Sequence, residues 1–382
     1  MAGQHRIVAG ARPVVRASHQ PLVDLIRDEI DGAPERRITF ARFMERALTE
    51  PGLGYYSRSD LRPTREGDFL TAPELHPFFG RIIARQLDEM WVRTGRPDRF
   101  TVREFGAGRG TLAKTIRAGL EADGSALAGA LIHESLDLGT TDPTGPTDPT
   151  QGVVGCILAN EFVDALPVHR VTIKDGRLLE CYVSWRDGRF TDRLAEPSTI
   201  SLADQLAEDG VTLAEGQVAE IGLASVAWMT AAAQGLSRGY LLLIDYGHPA
   251  TELYGSHRAA GTLLGYRGHR VVDDPYGSVG ETDLTAHVDL TALDRAARRT
   301  GLVACGSVTQ AAFVSALGIG EMLQASGAHP ASEAEAYLLA RSAVVRLLDP
   351  RHLGAFRVLA WARDAPTDPP LSGFRPGPVP ER

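Results

Sequence analysis

Residues 100–120 read FTVREF, GAGRG, TLAKTIRAGL: an apolar, β-branched run enters a loop with glycine at 106, 108 and 110, and a helical pattern follows. Glycine has no side chain to block an approach, so a strand, tight turn and helix of this kind bring backbone N–H groups against a nucleotide. Three ligands compete for such a loop. A dinucleotide fingerprint needs G-x-G-x-x-G, but the third glycine arrives one residue early and Thr111 takes its place. A P-loop needs G-x-x-x-x-G-K-[ST]. Residues 108–115, GRGTLAKT, depart from it only at Ala113, before Lys114, and LLLID at 241–245 resembles a strand ending in a magnesium-binding Asp. Glu104, two residues before the first glycine, argues against a triphosphate, because its carboxylate repels phosphates and attracts cations. S-adenosylmethionine carries a sulfonium, an ammonium and a ribose diol, and no phosphate. Glu134 closes the apolar LIHE 24 positions beyond Gly110, near the spacing at which a second-strand acid accepts ribose hydroxyls, although NAD would use such an acid too. The E-x-G-x-G-x-G set of Glu104, Gly106, Gly108 and Gly110 points to S-adenosylmethionine as the cofactor.

A second group lies at 153–167, where VVGCILA opens directly into Asn160, Glu161, Phe162, Val163, Asp164, Ala165, Leu166 and Pro167. An apolar strand ending this way places three polar side chains at its carboxyl end, where doubly wound sheets bind ligands. A simple capped turn would use Asn160 and Asp164 for local backbone N–H groups, but it does not need the Asn-Glu pair.

These groups must be held by a framework, and the composition bounds it. The chain has 382 residues, 43% hydrophobic and 23% charged, with 40 basic and 48 acidic side chains for a net charge of −8. That is enough for two to three units or one elaborated catalytic domain with a sizeable core. The acidic balance, without a long Lys/Arg run, argues against nucleic-acid and anionic-membrane partners. No apolar run approaches the roughly 18 residues of a membrane span. Three dispersed cysteines, Cys156, Cys181 and Cys305, form no disulfide framework and no zinc motif, so reduced thiols and no metal are expected. The first 23 residues carry Arg6, Arg12 and Arg16 and no acid, superficially like a transit peptide, yet they lack an apolar stretch and a small-residue cleavage site. A cytoplasmic location is expected.

Strand and helix patterns alternate from 100 to 160, a β-rich stretch covers 168–190, helices cover 201–235, and a strand covers 240–246. A polar, glycine-rich loop then runs to about 283 before a mostly helical last third. The alternation implies an α/β fold with a largely parallel sheet. Residues 140–151, TTDPTGPTDPTQ, read as a linker, and the proline-rich stretch from Ala365 reads as disordered.

GDFLTAPEL at 67–75, FFG at 78–80, EFGAGRGTL at 104–112, NEFVDALPV at 160–168, LLLIDYGH at 241–248 and ETDLTAHVD at 281–289 occur in one order. Together with ITFARFMERALTEPGLGYYSR at 38–58, they resemble the MidA-like methyltransferases, the family that includes the mitochondrial complex I assembly methyltransferase. The resemblance spans about residues 38–290 and implies a class I S-adenosylmethionine-dependent methyltransferase, Rossmann-like, with an N-terminal cap and an inserted α/β lobe. It divides the chain into a cap at 1–85, a core at 86–364 with a lobe at about 168–238, and a tail at 365–382.

The resemblance also implies activity and residues. Members are associated with methylating an arginine side chain of a protein. Gly67, Asp68, Thr71, Pro73 and Glu74 match the block that closes over the cofactor, and Asn160, Glu161 and Asp164 match the block beside the methyl group. Asp245 and His287 are weaker matches. Carboxylates at Glu161 and Asp164 suit a guanidinium, whose planar N–H fork they can accept in bidentate fashion. Glu161 is expected to grip the substrate and Asp164 to orient it, with the Asn160 carbonyl near the cofactor amine or the incoming nitrogen. His287 is a candidate base or hydrogen-bond partner, Tyr55 and Tyr56 are candidate pocket walls, and His257 and Arg258 a candidate gate. The chain departs from the family in having only 26 positions between Glu134 and Asn160, which leaves little room for the usual helix and makes Glu134 an uncertain ribose ligand. Expected partners are a protein, peptide or small-molecule methyl acceptor, with a homodimer allowed. A natural-product nucleophile, a P-loop-like NTPase and a non-catalytic assembly protein are the alternatives.

Overall fold

The computed structural model describes residues 19–58, 71–137, 152–268, 270–327 and 334–375. Its centre is a six-stranded sheet. Strands Leu131–Leu136, Phe100–Phe105, Val153–Asn160 and Leu236–Asp245 run parallel in that order, and Arg357–Arg363 and then Val303–Thr309 continue it antiparallel. The central strands read as nearly unbroken apolar runs, VVGCILAN and LSRGYLLLID, because both faces are covered. Helices Phe78–Arg93 and Thr111–Ala122, with the C-terminal helices, bury one face through Phe79, Ile83, Ile116 and Val344. Helices Leu223–Gly235 and Leu290–Arg299 cover the other with Met229, Leu293 and Ala297. The α/β fold with a largely parallel sheet is as expected. The Leu131–Leu136 strand forms one end of it among the described residues, and the linker at 140–151 lies outside them.

The lobe is a five-stranded antiparallel sheet from His169–Lys174, Arg177–Arg186, Arg189–Ala195 and Val218–Ile221, with Ile38–Thr39 of the N-terminal segment as its fifth strand. Helices Gln20–Gly32 and Phe40–Thr49 share one core with it, through Ile26, Phe43, Met44, Val183 and Phe190. The boundaries therefore fall differently from a cap at 1–85 and a lobe at 168–238. The Phe78–Arg93 helix packs into the main core, and the lobe closes before the Leu223–Gly235 helix, which packs on the central sheet. A strand, Val218–Ile221, also interrupts the expected helical stretch at 201–235.

Two further expectations are corrected. The expected loop before 283 carries its own sheet, in which Leu264–Arg267 pairs with Arg270–Val272 on one side and Asp283–Thr285 on the other. Proline content also misjudged the tail, because residues 365–375 are packed: Leu371 and Phe374 are buried, Ser372 N and Gly373 N donate to Glu89 and Gln86, and Tyr240 donates to Pro366 O. Two apolar anchors and satisfied backbone groups outweigh the composition. Residues 376–382 lie outside the described ones.

Candidate active site

The glycine loop leaves the carboxyl end of the Phe100–Phe105 strand with Gly106, Gly108 and Gly110 at φ of 70°, 53° and 70°. Residues with side chains rarely hold this conformation. A Cβ on Gly106 would lie 2.9 Å from the Phe162 ring, whereas over Gly108 and Gly110 nothing lies within 4 Å. The loop is thus an open floor leading into the Thr111–Ala122 helix. Glu104 is buried beneath it, with Oε2 2.6 Å from His133 Nε2.

The neighbouring Val153–Asn160 strand ends in a turn that brings the second group to the same place. Glu161 takes φ of 50°, unusual for a side-chain-bearing residue, and its N–H donates to Ile244 O at 2.9 Å. Asp245 holds this turn. Its Oδ2 accepts from Phe162 N, Val163 N and Asp164 N at 3.3, 2.9 and 3.3 Å, and its Oδ1 accepts from Tyr246 N at 2.9 Å. Asp245 thus anchors the strand end that a P-loop reading would assign to magnesium. Glu161 Oε1 accepts from Ala72 N at 3.0 Å and from Asn160 Nδ2 at 3.1 Å. Three buried acceptors are left without a donor: Asn160 Oδ1, Glu161 Oε2 and Asp164 Oδ1. Burial, and then the Asp164 charge, raise the Glu161 carboxyl to about 7, while burial raises Asp164 to about 6.

Opposite these groups stands the turn of Ala72–Leu75, where Thr111 Oγ1 donates to Glu74 Oε1 at 2.7 Å. One cleft, with about 1200 Å³ of empty space including its mouth, is lined by Thr71, Pro73, Glu74, Glu104, Gly106, Gly108, Asn160, Glu161, Phe162 and Asp164, whereas Gly110 caps the Thr111–Ala122 helix and does not line it. Gly67 and Asp68 lie outside the described residues. Asp137, Tyr246, Tyr266, Asp283 and Thr285, none of them singled out from the sequence, also line it. Tyr56 joins them and donates to Asp283 Oδ1 at 2.6 Å, while Tyr55 is core.

Other candidates are placed elsewhere. Glu134 faces Arg103 on the next strand, with Oε2 2.8 Å from its Nε, and does not line the cleft. The strand runs two residues further than its LIHE core, to Leu136, so Asp137, the next residue, is the acid that reaches the cleft. A strand end read from alternation, with Glu134 facing sideways, was the missed signal. His287 is not at the cleft either. Its ring stacks on His248 at 5.3 Å and meets Tyr246 edge-on at 5.1 Å. Burial and the charges of His248 and Arg258 hold it down at about 4, so it is neutral and packs behind Tyr246. The expected gate is a 3-10 turn, where Arg258 donates to Glu252 O and contacts His248 Nε2.

The donor set suits S-adenosylmethionine. Open glycines would receive its amino-acid and ribose portions, with Asp137 at the strand end for the hydroxyls and Glu104 beneath. Arg109 is the one basic side chain among the described lining residues, which suits a ligand without phosphates. Lys114 is exposed on the helix rather than directed into the cleft. Lys114→Ala is accordingly expected to leave the melting-temperature rise caused by S-adenosylhomocysteine unchanged, and Mg-ATP is expected to cause none in either protein.

Comparisons with known proteins agree with this geometry. A family model described as "Putative S-adenosyl-L-methionine-dependent methyltransferase" matches residues 82–132 and 144–308. A superfamily relative from Burkholderia thailandensis, solved with S-adenosyl-homocysteine bound, superposes at a TM-score of 0.82 and is 32% identical over 94% of this chain and 95% of that one. A second, native crystal structure of a protein of that superfamily from the same organism gives 0.75 at 30% identity, over 94% and 95%. The protein arginine methyltransferase NDUFAF7 homolog of Drosophila melanogaster mitochondria is 28% identical over 368 residues, 85% of this chain and 81% of its own length.

Proposed function

Because this chain belongs to the family of S-adenosyl-L-methionine-dependent methyltransferases, we propose that the acceptor it methylates is an arginine side chain in a protein or peptide. The observation that carries the reading is the set of three buried acceptors without donors, Asn160 Oδ1, Glu161 Oε2 and Asp164 Oδ1. A guanidinium brings five N–H donors in one plane and a positive charge, which answers all three. The arginine methyltransferase name of the Drosophila relative supports the same acceptor.

S-adenosylmethionine supplies a methyl group on a sulfonium that departs as a neutral thioether, so no acid is needed to expel it. The task of the protein is alignment. Glu161 and Asp164 hold the guanidinium with one nitrogen toward the methyl carbon. As the N–C bond forms, that nitrogen loses its proton to a carboxylate, for which Glu161, raised to about 7, is well matched at neutral pH.

Methyl transfer at low acceptor concentration should rise with pH through the region of about 6 to 7 and then level off, because both carboxylates must be charged to hold the cation. A profile of kcat/KM against pH checks this, and a flat profile would count against the roles of Glu161 and Asp164. The acceptor itself is tested with tritiated S-adenosylmethionine and a cell extract split into protein and small-molecule fractions. Label recovered as methylarginine after acid hydrolysis of protein is the expected result. Label confined to the small-molecule fraction, or to another amino acid, overturns the arginine reading.

A further inference from the structure

Beyond the cleft, the small sheet above it has an edge that is unpaired among the described residues, and we infer that an extended segment of the acceptor polypeptide docks there as an added strand along Arg270–Val272. This rests on the arginine reading and goes past it to how the polypeptide is held. The strand Arg270–Val272 pairs with Leu264–Arg267 on one side and has no strand on the other among the described residues. Unpaired edges present a row of backbone donors and acceptors, and proteins generally blunt them with charge, proline or a cover. Here the middle residue is Val271, apolar and 55% exposed.

The edge also leads into the site. Tyr266 pairs directly with Val271 on one side and with Asp283 on the other, and directly opposed residues in antiparallel strands share a face. Asp283, Tyr266 and Val271 therefore form one row, whose inner two members line the cleft and whose outer member is in solvent. A strand added beside Val271 projects alternate side chains onto that face. An arginine among them extends along the row toward Tyr266 and the carboxylates. Main-chain pairing supplies affinity with little sequence demand.

The test uses the full chain, S-adenosylmethionine and a library of nonapeptides with a central arginine and random flanks, read by mass spectrometry for methylarginine. Methylated peptides should be enriched in β-branched residues. Backbone N-methylation of the best peptide should abolish transfer at one alternate set of amides and be tolerated at the other, because only one edge of a strand faces the sheet. Val271→Pro should lower transfer about tenfold, the worth of one or two hydrogen bonds, while Val271→Thr stays near wild type. S-adenosylhomocysteine should still raise the melting temperature of both variants. Methylation indifferent to N-methylation at both sets overturns this inference and leaves the arginine reading standing. A dimer in sedimentation that Val271→Pro dissolves assigns the edge to a second copy and overturns it as well. No methylarginine from wild type in any peptide overturns both.

Discussion

Glu161→Gln is expected to lower kcat/KM for an arginine acceptor by about a hundredfold or more while S-adenosylhomocysteine still raises the melting temperature as in wild type. Glutamine keeps an oxygen for Ala72 N and Asn160 Nδ2, so the turn and the cap contact survive. What it removes is the charge that faces the guanidinium and the oxygen that takes its proton. A hundredfold is about 2.7 kcal/mol of barrier, in the range for a lost charged contact and general base. The stability effect has the opposite direction. The Glu161 carboxyl is raised to about 7 in the fold from a normal value of 4.5, so the folded chain binds a proton that the unfolded chain has released. Its contribution to wild-type stability is largest below the normal value and is lost as pH rises to about 7. The glutamine variant should therefore be more stable than wild type at pH 8, by up to about 3 kcal/mol, and lose most of that advantage near pH 5. Unchanged turnover, or lost cofactor binding, would defeat the role given to Glu161.

Asp245→Ala is expected to destabilise the fold by about 4 kcal/mol, a large share of a typical total, and to abolish transfer with it. Four backbone N–H groups converge on this one buried side chain. Alanine leaves them in an apolar setting, each at a cost of about 1–3 kcal/mol before relaxation. Burial and the Asp164 charge push the Asp245 carboxyl up, which works against the ionised form, but four donors outweigh the relief of losing that charge. Asp245→Asn should be intermediate, since its amide nitrogen confronts N–H groups with a donor. Urea denaturation of the three proteins measures the order, and an alanine variant as stable as wild type would refute the anchoring.

Local pattern explains which parts were legible in the sequence. Glu104, Gly106, Gly108, Asn160, Glu161 and Asp164 sit in short runs whose chemistry depends on a strand meeting a turn, and the structure brings them to one cleft. Tyr246, Tyr266 and Asp283 were not singled out because their place depends on pairings far along the chain, such as Tyr56 with Asp283. Glu134 falls two residues short of the strand end, since an acid in an apolar run does not reveal which residue ends it. His287 looked chemical, being a histidine in a polar motif, yet it packs against two other rings. The tail failed on composition, because Leu371 and Phe374 matter through their depth and not their number.

The Ala72–Leu75 turn touches Glu161 through Ala72 N and the start of the cofactor helix through Glu74 and Thr111. One short piece thus contacts both halves of the cleft. A cation that engages Glu161 competes with Ala72 N for its charge, and any displacement of the turn is expected to be felt at the Glu74–Thr111 contact. Donor product and acceptor should then bind with heterotropic coupling. By thermodynamic reciprocity, the factor by which arginine alters the affinity for S-adenosylhomocysteine must equal the factor by which S-adenosylhomocysteine alters the affinity for arginine.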